Sequence, residues 1–104
     1  MTMNETIVQI NFKFAGSRAE YVKAFSEVAA AIAATEGLLW KVWPWNNGEQ
    51  VGGGIYLFDD ASSAQAFLSG PIAAGLGQHA AVSDISVKTI EILQDLTAVT
   101  RGPI

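Results

Sequence analysis

Two stretches of large β-forming side chains, separated by a polar turn, constrain the fold of this chain more than any other feature. The first stretch covers residues 38–45 and the second covers residues 51–58. Between them, Asn46-Asn47-Gly48 supplies residue types that tolerate the positive φ of a tight turn between antiparallel strands. The sequence therefore predicts a β-hairpin in the middle of the chain.

The segment before this hairpin predicts a strand followed by a helix. Apolar and more polar residues alternate from Thr6 to Phe14, which is the period of a β-strand. Ser17 then stands three residues before Glu20, the spacing of a capping box, and large apolar residues recur at helical intervals after it. We expect a helix from about Arg18 to Thr35, ended by Gly37.

After the hairpin the chain predicts a second helix and a last strand. Asp59 or Asp60 can cap the helix, which Gly70-Pro71 interrupts before a short irregular or helical piece. The last strand is expected from about Ile85 to Leu93. The order β-α-β-β-α-β predicts an α+β, ferredoxin-like fold, with a four-stranded antiparallel sheet and both helices on one face. At 104 residues, half of them apolar, the chain has the size of one such domain.

The hairpin strands carry large side chains on both faces. Trp40 and Trp43 fall on opposite faces of one strand, and Ile55 and Tyr56 do so on the other. Because the helices cover only one face of the sheet, we expect a second copy of the chain to cover the other. The charged fraction of only 15% also favours an oligomer. The sequence predicts a homodimer, over which the tail after Gln94 can lie as an arm.

Charge and composition exclude several partners and chemistries. Six Lys and Arg oppose ten Asp and Glu, a net charge of −4, and the basic residues are isolated, so nucleic acid and anionic membranes are not expected as partners. Without cysteine, no disulfide, thiolate metal site or cysteine nucleophile can form. No apolar run reaches the ~20 residues of a membrane span. Residues Met1 to Thr6 show no export signal, so we expect a cytoplasmic location.

The hairpin also carries a family resemblance. Residues 37–43, Gly-Leu-Leu-Trp-Lys-Val-Trp, and residues 52–59, Gly-Gly-Gly-Ile-Tyr-Leu-Phe-Asp, resemble the YdhR-like monooxygenase family of the dimeric α/β-barrel superfamily. The likeness extends over most of the chain. It implies a ferredoxin-like fold, a homodimer built by packing two sheets face to face, and oxygenase activity on aromatic or quinol-like compounds without a metal or organic cofactor.

Three tryptophans in the first hairpin strand are candidates for substrate binding. Trp40 and Trp43 offer large flat faces on which an aromatic ligand can stack. The alternative is that they fill the helix-side core and the dimer interface, since they point to opposite faces. Trp45, beside Pro44 and the turn, is expected at the rim rather than in the core.

His79 is the only histidine and a candidate catalytic base. Its unperturbed pKa lies near neutral pH, and oxygenation without a cofactor needs a base that makes a carbanion or phenolate from the substrate. The alternative is a solvated loop histidine with no catalytic role. One histidine without a cluster of carboxylates makes a poor metal site, so no metal is expected.

Asn11, Lys41 and Tyr56 are polar residues that can converge in an apolar cavity. There Tyr56 or Asn11 would donate a hydrogen bond to a substrate oxygen and polarise it, while Lys41 would bind substrate. Alternatively, Lys41 pairs with a carboxylate or reaches solvent, and Tyr56 belongs to the core. Alternation within each strand permits the shared site without establishing it.

Gly52-Gly53-Gly54 lacks the Lys-Ser or Lys-Thr of a phosphate-binding loop and precedes a strand, which argues against nucleotide binding. A close backbone approach or a bulge explains it better. The family resemblance, together with these Trp, Tyr, Asn and His residues, favours a cofactor-independent monooxygenase acting on a small aromatic or quinol-like compound. Two alternatives stay open: a non-catalytic module that binds or senses a small molecule, and an isomerase or decarboxylase that acts on a related carbon acid.

Overall fold

A computed structural model describes residues 5–104 of the chain. Its elements follow in the order β1 (Thr6–Phe14), α1 (Arg18–Ala33), β2 (Leu38–Val42), β3 (Trp45–Asn46), β4 (Val51–Phe58), α2 (Ala61–Leu68), α3 (Pro71–Gly77), β5 (Val82–Glu91) and α4 (Gln94–Val99). The antiparallel sheet has the strand order β2-β4-β1-β5, and β3 pairs with β4. The predicted ferredoxin-like fold is confirmed, with a fifth, two-residue strand added to the expected four.

Local sequence signals explain where α1 begins and ends. The Ser17 hydroxyl accepts a hydrogen bond from the Glu20 N–H, and the Glu20 carboxylate accepts one from the Ser17 N–H, which is the expected capping box. The helix ends at Ala33, two residues earlier than expected. Gly37 has φ +84°, a conformation that glycine adopts without strain, and it turns the chain into β2.

The hairpin differs from its prediction at the turn. Pro44 has no N–H to donate, so the predicted single strand breaks into β2 and the short β3. The positive φ falls at Gln50, with φ 53°, rather than within Asn46-Asn47-Gly48. The Asn46 side chain instead accepts a hydrogen bond from the Glu49 N–H, which forms the turn locally.

One face of the sheet packs against the helices. From β1 it presents Val8, Ile10, Phe12 and Phe14, all buried, and the register places Tyr56 of β4 opposite Val8. These side chains form the core with the buried residues of α1 and α2, namely Tyr21, Phe25, Ile32, Ala64 and Phe67. The period-2 pattern of β1 thus predicts its buried side correctly.

A row of four apolar residues crosses the other face, which we call the open face. The register aligns Trp40, Leu57, Ile7 and Ile90, one from each of β2, β4, β1 and β5. Leu57 is only 1% exposed within this row. The C-terminal tail, suggested from the sequence as an arm over a partner, forms α4 and returns to this face of its own chain, where the Trp40 indole N–H donates to the Pro103 carbonyl at 3.0 Å.

The last strand also begins and ends earlier than expected, at Val82 and Glu91. Its register against β1 shifts between Asn11 and Lys13, where Asp84 takes φ 52°. None of the helices within residues 5–104 is long and apolar enough to cross a membrane.

Candidate functional site

A cavity of about 410 Å³ lies between the helix-covered face of the sheet and helices α1 and α3. Large apolar side chains make up most of its wall, among them Ile10, Phe12, Phe25, Phe67, Ile72 and Leu76. Five titratable side chains also line it, namely Tyr21, Glu27, Lys41, Tyr56 and His79. A cavity of this size and composition is typical of a site for a small apolar ligand.

The three consecutive glycines of β4 allow other groups to lie close to the sheet. A Cβ at Gly52 would meet the Tyr21 ring, and a Cβ at Gly54 would meet the Lys41 side chain and the Tyr56 ring. A Cβ at Gly53 would meet the Ile10 carbonyl, and this residue has φ +143°. The register of β4 against β1 continues unbroken through the triplet. Of the two explanations for these glycines, close approach is therefore confirmed.

Lys41 reaches the cavity from β2. Its Nζ lies 3.1 Å from the centroid of the Trp43 ring and 4.5 Å from that of the Tyr56 ring. Among residues 5–104, no carboxylate forms an ion pair with it and no group forms a hydrogen bond with its amine. Burial among apolar groups disfavours the charged amine and lowers the pKa of Lys41 to about 7.

The pKa of Lys41 can be measured directly, because the chain has only four lysines. In protein labelled with ¹³C at lysine Cε, we expect one of four signals to titrate near pH 7 and to disappear in Lys41→Arg. The exposed Lys13, Lys23 and Lys88 supply the reference signals in the same spectra. If the signal lost in Lys41→Arg did not titrate near pH 7, the environment described for Lys41 would be wrong.

Two tyrosines contribute hydroxyl groups. The Tyr21 hydroxyl accepts a hydrogen bond from the Gly53 N–H at 3.0 Å and donates to the Gly53 carbonyl at 3.5 Å, which fixes its ring against the sheet. Tyr56 lies opposite Lys41 in the register. Burial raises the pKa of Tyr21 and, more strongly, that of Tyr56. Both phenols therefore stay protonated, and Tyr56 can donate a hydrogen bond to a ligand.

His79 lines the cavity from the loop after α3. Its ring stacks on Phe25, with 5.6 Å between centroids. The Nδ1 atom accepts a hydrogen bond from the Ala81 N–H at 3.1 Å, so the neutral ring carries its proton on Nε2. In this arrangement neutral His79 offers an N–H donor and no free lone pair, which does not suit the base predicted from the sequence.

The tryptophans separate as their positions in the strand predict. Trp43 lines the cavity, whereas Trp40 lies on the open face against the C-terminal tail. Trp45, expected at the rim, is half-buried and packs against the core, 4.9 Å from the Tyr21 ring. Of the two tryptophans predicted to bind substrate, only Trp43 has access to this cavity.

Asn11 does not join Lys41 and Tyr56. It lies between Ile10 and Phe12, which both face the cavity, and therefore points to the open face, opposite Ser86 of β5. The predicted convergence is thus correct for Lys41 and Tyr56 and wrong for Asn11. No group of three or more His, Asp or Glu side chains within residues 5–104 is placed to hold a metal ion.

The sequence prediction missed the contribution of α1 to the site. Tyr21, Phe25, Val28 and Ile32 recur at helical spacing, and all four line the cavity. This pattern predicts a buried helix face, but it cannot distinguish a face that packs tightly from one that borders a cavity.

Comparison with known proteins gives a family and a set of similar folds. A family model described as "Putative mono-oxygenase ydhR" matches residues 7–103. No curated protein matches the sequence. A protein of unknown function from Nitrosomonas europaea has a similar structure, with a TM-score of 0.72 over 88% of this chain and 91% of its own, at 23% identity.

Two further solved structures are described by an activity. SnoaB, a cofactor-independent oxygenase from Streptomyces nogalater, matches with a TM-score of 0.69 over 88% of this chain and 95% of its own, at 19% identity. MhuD, a heme-degrader from Mycobacterium tuberculosis with two hemes bound in its active site, gives 0.62 over 84% and 95%, at 24% identity. At these identities the likeness is one of fold.

Proposed function

The chain belongs to the ydhR mono-oxygenase family, and we propose that it is a cofactor-independent monooxygenase that oxidises a small aromatic or quinol-like compound in the cavity between the sheet and α1. The observation that carries this proposal is the cavity itself. Its wall is largely aromatic and aliphatic, and a few polar side chains are placed to orient one oxygen atom of a flat ligand.

The proposed reaction needs no external reductant. A base removes a proton from the substrate, the resulting anion passes an electron to O₂, and the two radicals combine. For an activated CH₂ group, collapse of the peroxide gives C=O and water. The substrate supplies all four electrons, one oxygen atom enters the product and the other leaves as water. The protein has to bind the substrate, accept its proton and stabilise the anion.

Three side chains of the cavity can bind the substrate and stabilise its anion. Trp43 provides a flat face, Tyr56 a protonated hydroxyl and His79 an Nε2–H donor for an anionic oxygen. Asn11 and Trp40 were predicted to act in the reaction and in substrate binding, respectively. Both lie on the open face, away from the cavity, so the proposed reaction uses neither of them.

Haem fits this cavity less well than a flat phenol does. His79 is the only imidazole of the chain. Ligation through Nε2 requires a proton on Nδ1, but Nδ1 faces the Ala81 N–H donor. We therefore place no step of the proposed reaction on haem.

Oxygen consumption tests the proposal. Protein treated with a chelator and mixed with anthrone-type and hydroquinone-type compounds should consume O₂ in proportion to substrate, and ¹⁸O₂ should label one oxygen of the anthrone product. Ligands that stabilise the protein against heat without any turnover would favour the non-catalytic binding module. Turnover without oxygen consumption would instead favour an isomerase or decarboxylase.

A cavity-filling variant tests whether turnover occurs at this site. Leu76→Trp places an indole in the cavity and should lower kcat/KM by on the order of tenfold or more, because substrate and indole cannot both fit. The control is Leu96→Trp on α4, where the side chain is 65% exposed. Equal activity of the two variants, with equal melting temperatures, would place the reaction elsewhere.

We also propose that two copies pair through the open face. Ile90 of its apolar row is 37% exposed and Val42, beside Ile55, is 53% exposed, and both side chains need cover that one chain does not provide. Light scattering should give twice the mass of the chain. Val42→Asp should shift the protein toward the monomer, since it places a charge in the interface. Val22→Asp, at a residue 55% exposed on α1, should not.

Either of two results would contradict the dimer proposal. A wild-type protein that remains monomeric at micromolar concentration, or two variants that dissociate alike, would show that the open face is not the interface.

A further inference from the structure

We propose that Lys41 is the proton acceptor of the cavity, and that the site therefore takes a substrate with an acidic hydroxyl group, a phenol or an enol. This inference rests on the proposed function for the oxidation that follows, while the proton transfer itself can be tested without oxygen.

Geometry singles out Lys41. Its amine lies at the cavity wall between the Trp43 and Tyr56 rings, at 3.1 Å and 4.5 Å from their centroids. Gly54 leaves room for the Lys41 side chain, because a Cβ at Gly54 would meet Lys41 Cε. Because no carboxylate or hydrogen-bond acceptor of residues 5–104 holds the amine, a ligand entering the cavity meets it free.

The other titratable groups that face the cavity are less suited to accept a proton. They are Tyr21 and Glu27 from α1, Tyr56 from β4, and His79 from the loop after α3. Both tyrosines hold their protons, because burial raises the pKa of each. The His79 Nδ1 lone pair is taken by the Ala81 N–H. Glu27 is exposed to solvent and forms no ion pair with Lys41.

Burial supplies the basic form of Lys41 at neutral pH. With a pKa of about 7, half of the amines are unprotonated at pH 7, against roughly one in 3000 at the ordinary value of 10.5. Burial favours the neutral amine, whereas the faces of the Trp43 and Tyr56 rings favour the charged form, since they attract the ammonium that forms. An amine that is available as a base and stabilised once protonated is suited to general base catalysis.

The transfer is a simple proton exchange. The O–H bond of the substrate breaks, an N–H bond forms on Nζ, and two neutral groups become an ammonium and a phenolate or enolate side by side. No electron moves in this step. The ammonium and the anion attract each other at short range, and Tyr56 can donate a hydrogen bond to the same anionic oxygen, so both contacts offset part of the cost of burying the two charges. The more acidic the hydroxyl, the more complete the transfer, which selects acidic phenols and enols over simple alcohols.

The test uses 4-nitrophenol as the probe, because its phenolate absorbs visible light and its neutral form does not. At pH 8.5 the probe is ionised and Lys41 is largely unprotonated, so formation of the ion pair should take up close to one proton. Calorimetry in buffers of different ionisation enthalpy measures this uptake. Wild-type protein and the exposed-lysine control Lys23→Met should each take up about one proton per bound probe while the bound probe keeps the visible absorbance of the phenolate, which places the proton on the amine; loss of that absorbance would mean that the probe took the proton and would overturn the proposal.

Two variants separate proton acceptance from mere charge or shape. In Lys41→Arg the side chain is always protonated, so the phenolate should still bind while the proton uptake falls to zero. In Lys41→Met the probe should bind at least tenfold more weakly. Uptake that persists in Lys41→Arg, or no uptake in the wild type, would overturn the proposal, and the first result would identify another group as the acceptor.

Failure of this proposal can be distinguished from failure of the oxygenase proposal. Oxygen consumption that drops on the order of 100-fold in Lys41→Arg supports both. Oxygen consumption that is unchanged in this variant contradicts the role of Lys41 as proton acceptor and leaves the oxygenase proposal intact. Proton uptake that depends on Lys41, in a protein that consumes no oxygen, keeps the proton acceptor and removes the oxygenase.

Discussion

Replacing Gly53 by alanine is expected to lower the free energy of unfolding by about 3 kcal/mol or more. Gly53 has φ +143°, where a residue with a Cβ is strained, and the added methyl would meet the backbone carbonyl of Ile10 on the neighbouring strand. Backbone atoms in the centre of a sheet cannot move aside as a flexible side chain can. Strands β1 and β4, which carry most of the core, would have to separate at this point.

The matched control is Gly75→Ala in α3. A Cβ at Gly75 meets nothing within 4 Å, and alanine favours the helix over glycine by roughly 0.5–1 kcal/mol. Urea unfolding of both variants should therefore move in opposite directions, with a clear loss for Gly53→Ala and no loss for Gly75→Ala. A Gly53→Ala protein as stable as the wild type would mean that the described approach of β1 and β4 is wrong.

The order of elements and the buried side of β1 could be predicted because each depends on neighbours in the sequence. Alternation from Thr6 to Phe14 identifies the strand, and the capping box of Ser17 and Glu20 fixes where α1 begins. The hairpin turn was less predictable. There Pro44 interrupts the strand and Gln50, not one of the residues of 46–48, takes the positive φ.

The candidate site shows where sequence patterns stop being sufficient. Alternation correctly groups Gln9, Asn11 and Lys13 on one face of β1, but it gives no relation between that face and a face of another strand. The register supplies this relation by placing Val8 opposite Tyr56, which leaves Asn11 on the opposite face from Tyr56.

A register shift in β2 is a second feature that alternation along the sequence cannot predict. The pairing of β2 with β4 shifts between Leu38 and Trp40, so Leu38 lies opposite Phe58 on the helix side although strict alternation groups it with Trp40. The His79 hydrogen bond to Ala81 likewise depends on a loop conformation that carries no sequence signal.

Replacing Lys41 by methionine is expected to stabilise the protein near neutral pH. Burial lowers the pKa of Lys41 from 10.5 in the unfolded chain to about 7 in the folded one, so folding must release its proton or bury its charge. Methionine keeps the length of the side chain and packs well against the rings of Trp43 and Tyr56 without a charge. We expect a gain on the order of 2 kcal/mol at pH 6–7, a discounted value because the amine is only partly buried.

The sign of the pH dependence follows from the direction of this shift. Between pH 7 and 10.5 the unfolded chain binds more protons at this lysine than the folded chain, so wild-type stability rises with pH relative to the variant. The advantage of Lys41→Met should be full below pH 7 and should vanish as the pH approaches 10.5. Tyr21 and Tyr56 also titrate at alkaline pH, but both proteins contain them and their effect cancels in the difference.

Urea unfolding of wild type, Lys41→Met and Lys23→Met at pH 6, 7, 8.5 and 10 measures this dependence. Lys23 is exposed on α1, so its variant should differ from the wild type by the same small amount at every pH. A constant difference for Lys41→Met as well would show that the amine is hydrated in the folded protein. A difference that shrinks only for Lys41→Met would show that the chain gives up stability to keep this amine in the cavity, as expected of a group retained for chemistry rather than for folding.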